Sequence, residues 1–115
     1  MNSVGTSLAA VISIAVLGAA ACGTSTPAQN LTFNFNVVGD KMTPEKVSGH
    51  QDDMVTMKVT ADKAETIHLH GYDYKFDVKP GETQTKTFKA DKTGSFEIEI
   101  EDTSTHLGEF DVLPR

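Results

Sequence analysis

The sequence predicts an all-β sandwich or small barrel of seven or eight short strands. Three observations carry that reading. Apolar and polar residues alternate with period two in several separate runs, the pattern of a strand with one buried face. Turn residues recur between the runs at short spacing, as Gly39-Asp40, Asp62-Lys63, Pro80-Gly81 and Gly94. Beyond the tether that ends at Asn30, no stretch keeps a helical period over three turns.

Taken in order, Leu31, Phe33, Phe35 and Val37 oppose Thr32, Asn34 and Asn36, a half-buried strand. Gly39-Asp40 turns the chain. Thr43 to Ser48 reads as one short strand with Pro44 at its start, where a missing N–H costs least. Gly49 to Asp53 reads as a loop carrying His50. Val55, Met57 and Val59 oppose Thr56, Lys58 and Thr60 in the next strand; Met57 is expected in the core, Met42 and Met54 at the surface. A strand from Glu65 follows, then Phe76 and Val78 facing inward, then a Thr-rich run from Thr83 to Phe88. Phe96, Ile98 and Ile100 against Glu97, Glu99 and Glu101 form the clearest strand. Gly108, Phe110 and Val112 against Glu109 and Asp111 make the last, closed by Pro114.

The chain has 115 residues, enough for one domain. Its net charge of −6 and lack of any Lys/Arg cluster exclude nucleic acid as a partner. No charged side chain precedes Asp40, and Val4 to Ala21 is an apolar, small-residue run ending at Cys22, the only cysteine. This reads as a secretory signal. A single cysteine straight after such a site resembles the bacterial lipoprotein signal, which implies lipidation of Cys22 and a membrane anchor. A plain cleaved signal and an uncleaved anchor stay open as alternatives. All three place the domain outside the cytoplasm, in the cell envelope. The expected organisation is residues 1–22 as signal with its lipidation cysteine, 23–30 as a flexible tether and 31–115 as the domain.

Glu65 to Gly81 carries the chemistry. Thr66, His68 and His70 alternate with Ile67 and Leu69, so both imidazoles share a strand face beside the Gly71 break. Two imidazoles so placed can share a ligand. Tyr72 and Asp73 follow as partners that could orient a ring N–H, or as turn residues with a half-buried aromatic. The Glu97, Glu99 and Glu101 row reads first as a solvated face. Neither a Gly-x-Ser-x-Gly, nor a His-Glu-x-x-His, nor a glycine-rich phosphate loop occurs, so no enzyme is expected.

The order Ile67-His68, Val78-Lys79-Pro80-Gly81, Thr87-Phe88-Lys89-Ala90, Gly94-Ser95-Phe96 and Leu107 to Val112 resembles the cupredoxins. It is similar to the copper domain of cytochrome oxidase subunit II and to cupredoxin-like domains of bacterial iron- and copper-handling lipoproteins. The resemblance spans about Leu31 to Leu113 and implies a Greek-key β-sandwich. It also implies that His68 is a copper ligand and that a Cys, a His and often a Met lie between the last two strands. Here that segment, Glu101 to Gly108, has no cysteine, Leu107 stands near the Met position, and only His106 offers an imidazole. Without a Cu–thiolate bond a blue electron-transfer centre is excluded. The expected site is His68, His70 and His106, with Glu101, Asp102 or a methionine as further candidates, holding a mononuclear non-blue copper. The expected partners are the membrane and a protein that gives or takes the metal. The alternative is a metal-free cupredoxin-like interaction module of a metal-uptake or envelope system.

Overall fold

The computed structural model describes residues 26–115. Nine strands run as β1 (Asn30–Val38), β2 (Lys41–Thr43), β3 (Lys46–His50), β4 (Met54–Ala61), β5 (Glu65–Leu69), β6 (Tyr74–Val78), β7 (Gln84–Lys89), β8 (Gly94–Ile100) and β9 (Thr105–Leu113). They form two mixed sheets, ordered β2-β1-β4-β7 and β3-β9-β8-β5-β6. No helix occurs among the described residues. The all-β sandwich is the class that the alternation predicts. The expected signal over residues 1–22, with its lipidation cysteine Cys22, lies outside the described residues.

The ninth strand arises where one was expected over Thr43 to Ser48. Pro44 has no N–H to donate, and the chain bends at Pro44-Glu45. The two halves then join different sheets: β2 pairs antiparallel with β1, and β3 pairs parallel with β9. His50, expected in a loop, closes β3 opposite Leu113. Met42, expected at the surface, is 2% exposed, because pairing with Val37 turns it into the core.

The last connection also differs from the expectation. A turn over residues 101–104 replaces the longer loop, and His106 and Leu107 belong to β9. The ladder slips between Ile98 and Glu99: Ile98 faces Gly108 while Glu99 faces His106, which leaves Leu107 as the extra residue of a bulge. Gly108 is required there. A Cβ on it would lie 2.0 Å from the Glu45 carbonyl oxygen, since β9 passes directly under the sheet-changing segment.

Inward positions of both sheets build one core, with Val37, Val55, Leu69 and Phe110 wholly buried and Ile67, Phe76 and Ile98 nearly so. Each such side chain contributes roughly 1.5–3 kcal/mol on burial, so the core fixes the strands and leaves outward positions free for polar chemistry. The corner between the sheets is held differently. Asp53, 2% exposed, accepts N–H bonds from His50 and Gln29, both at 2.8 Å, and an ion pair from Arg115 at 2.7 Å. Burial pushes the Asp53 carboxyl up, but those N–H donors and the Arg115 guanidinium together hold it below its ordinary 3.8. Arg115 also donates to the Thr26 carbonyl, so residues 26–29 lie tied against the domain.

Candidate metal centre

Strand β5 lies between β6 and β8, and its alternation sends Ile67 and Leu69 inward at 1% and 0% exposure. His68 therefore points outward. It stands opposite Lys75 on β6 and Glu99 on β8, and Glu99 in turn stands opposite His106 on β9. One row of side chains thus crosses four strands as Lys75, His68, Glu99, His106. His70 follows the last residue of β5, and its N–H donates to the Glu97 carbonyl at 2.9 Å. Gly71 then leaves the sheet with φ +84°, where a Cβ would meet the Phe96 ring at 2.4 Å.

The two imidazole rings sit 4.5 Å apart between centroids. His70 Nε2 lies 2.6 Å from Glu99 Oε2, and His68 Nδ1 lies 3.8 Å from the same oxygen. One donor atom from each of His68, His70 and Glu99 falls within 4.8 Å of the others, the only such trio of His, Cys, Asp or Glu among the described residues. Glu99 is nearly buried, and Asp73 Oδ1 approaches His68 Nε2 from outside at 3.5 Å. The hydrogen bond that His70 donates to Glu99, aided by the charges of Glu99, Glu97 and Asp73, lifts His70 above its ordinary 6.5 against a smaller opposing effect of burial. Two imidazoles and one carboxylate are a donor set that suits Cu(II) or Zn(II), with coordination positions left for water or another ligand.

Of the residues singled out in the sequence, His68 and His70 come together. His106 is exposed on β9, its Nδ1 2.8 Å from Glu97 Oε2. The turn over residues 101–104 caps the opposite end of β5, where Glu101 N–H donates to the Thr66 carbonyl. It is pairing of β9 with β8, not closure of a loop, that brings His106 near. Tyr72 is buried, and its hydroxyl both donates to the Lys92 carbonyl at 2.7 Å and accepts from the Lys92 N–H at 3.0 Å. Its hydroxyl is spent on anchoring that loop. Asp73 does stand beside His68. Met57 is in the core, Met54 is exposed on β4, and His50 is exposed on β3 at the other edge of the sheet. Glu99 is the donor that sequence reasoning passed over, because alternation gives its face but not the strand opposite.

No protein-family model matches the chain, and no curated protein matches it. Solved structures do. The chain is similar to one of a heme-copper terminal oxidase dimer at 15% identity and TM-score 0.59, over 70% of this chain and 63% of that one. It is similar to a copper binding protein in the apo form at 16% identity and TM-score 0.59, over 70% and 85%. It is also similar to a multi-copper oxidase from Pseudomonas thermotolerans at 16% identity and TM-score 0.61, over 77% and 31%. The chain spans less than two thirds of either oxidase chain. What these structures share with it is the fold: the two mixed sheets form a cupredoxin-like β-sandwich.

Proposed function

We propose that this chain holds a copper ion, and passes it on, through His68, His70 and Glu99 outside the cytoplasm, anchored to the membrane by a lipidated Cys22. The observation that carries the reading is the convergence of two imidazoles on one nearly buried carboxylate, on a fold shared with a copper binding protein. The only thiol, at Cys22, is assigned to the anchor, so the role is storage or transfer rather than blue-copper electron transfer. The test is titration of Cu(I), Cu(II) and Zn(II) into the purified full chain in detergent. Stoichiometric binding, with only weak d–d absorption for Cu(II), is expected. An intense visible Cu–thiolate band overturns the non-blue assignment. For the anchor, Cys22→Ser is expected to release the protein from the membrane fraction; unchanged association points to an uncleaved helix instead.

A second reading has its own observation. The cluster is already paired within the sheet, His70 with Glu99 at 2.6 Å and Lys75 with Glu101 at 3.1 Å. Such a face needs no ion to be satisfied, and would serve a metal-free module that binds another protein. Absence of binding for all three ions selects it.

A further inference from the structure

We infer that His106 and Glu97 form a second, outer position for a divalent copper or zinc ion, and that this position loads the inner one; the inference rests on the metal-holding reading above. Glu97 turns one oxygen to each neighbour. Its Oε2 lies 2.8 Å from His106 Nδ1, and its Oε1 lies 4.0 Å from His70 Nε2. Glu99 likewise serves both His70 and His68. Imidazole and carboxylate therefore alternate along the face, from His106 through Glu97, His70 and Glu99 to His68.

The two ends differ in exposure. The His106 and Glu97 side chains are 57% and 41% exposed, those of His68 and Glu99 only 13% and 12%. An exposed pair supplies two donors and leaves an ion most of its water, so it binds weakly and exchanges fast. Three donors, two of them largely buried and the third, His70, 46% exposed, bind more tightly and exchange more slowly than two. The gradient runs inward. A cleft of about 120 Å³ opens at His106, its wall carrying the two carboxylates Asp40 and Glu45 against one cation, Lys41, so the outer imidazole borders an opening with one excess negative charge.

The test is calorimetric and EPR titration of glycine-buffered Cu(II) into the full chain in detergent, with stopped-flow measurement of loading and release. The parent is expected to take up two equivalents, the second at least about tenfold weaker for want of a third donor. His106→Gln, on an exposed position that far-UV circular dichroism will show folded, is expected to keep only the tight equivalent at unchanged affinity. Loading and release of that equivalent should slow together, because removing a route changes rates and not an equilibrium. His50→Gln should keep both equivalents and both rates. The inference is overturned if His106→Gln still binds two equivalents, if it weakens the tight one, if it loads as fast as the parent, or if His50→Gln loses the weak one. A parent with one tight equivalent indifferent to His106 sinks the outer position alone. A parent that binds no Cu(II) sinks the metal-holding reading itself.

Discussion

The two outer faces of this sandwich have the same geometry and opposite chemistry. On the four-stranded sheet, the outward positions at the middle of β1, β4 and β7 are Thr32, Asn34, Asn36, Thr56, Lys58, Thr60, Thr85 and Thr87, a neutral surface with one charge. On the five-stranded sheet the corresponding positions are His68, Glu97, Glu99, His106, Glu109 and Asp111 beside Thr66 and Ser95, with Lys46, Lys75 and Asp77 on the edge strands and Glu101 in the turn after β8. Both faces rest on equivalent cores, so packing does not account for the difference. Threonine fits a pleated surface and asks for little. Carboxylates placed side by side repel unless something cationic sits among them. Lys46 answers Glu109 and Asp111, and Lys75 answers Glu101. Glu97 and Glu99 have only imidazoles. The charged face is thus one where protons, or a metal ion, complete the balance, and the neutral face is one where nothing is missing.

The largest effect is expected where both faces depend on one residue. Asp53 lies between β3 of one sheet and β4 of the other, and serves the N–H groups of His50 and Gln29 and the Arg115 guanidinium. Asp53→Ala leaves those donors without an acceptor in a nearly closed site, at a cost of about 3 kcal/mol. Urea unfolding measures it; a loss under about 1 kcal/mol would show the corner held by its backbone bonds alone. The sign of the pH dependence follows from the lowered carboxyl. Its contribution is fully present above the unfolded value of 3.8, and is lost as pH falls through the lower folded value. Acid should therefore destabilise the parent more steeply than Asp53→Ala.

That residue also marks the limit of what the sequence discloses. Strands β1, β4 and β8 were legible from alternation alone, and so was the shared face of His68 and His70, because period two is a local property. Asp53 was not, since its acceptor role joins partners 24 and 62 positions away. Glu99 was seen as part of a row but not as a ligand, because register across strands is set by the whole sheet. The split at Pro44 was half legible: proline announced a strand end, but not that the chain would change sheets there. His106 was assigned to a loop because nothing in Thr105-His106-Leu107 signals the bulge that keeps β9 paired.

The next effect separates the faces. His68→Ala, His70→Ala and Glu99→Gln are each expected to weaken metal binding by more than the roughly 10–100-fold that follows loss of an outer partner, because each removes a donor. Stability should move by less than about 1 kcal/mol for the exposed His70 and by somewhat more for the largely buried His68 and Glu99, whose partners lose a neighbour out of water. Thr60→Ala on the neutral face should leave binding untouched. If His70→Ala binds copper like the parent, the charged face is an ion-pair surface, and the contrast between the sheets concerns solubility rather than a site.

The smallest effect tests the neutral face on its own terms. Thr56 and Thr87 stand opposite each other on β4 and β7, their hydroxyls 2.9 Å apart. Removing one hydroxyl leaves the other to water, so either single Thr→Val change should cost no more than a few tenths of a kcal/mol, at the low end for a cross-strand pair. Replacing both together removes donor and acceptor at once and substitutes a residue of the same shape with equal or better preference for strands. The double variant Thr56→Val/Thr87→Val is therefore expected within about 0.5 kcal/mol of the parent, and less destabilised than the two single changes added together. Thermal unfolding of all four proteins measures that coupling, and copper titration of the double variant should reproduce the parent. A loss well beyond about 1 kcal/mol would mean that the hydroxyl row is a structural network, and that the neutral face is constrained by its side chains no less than the charged one.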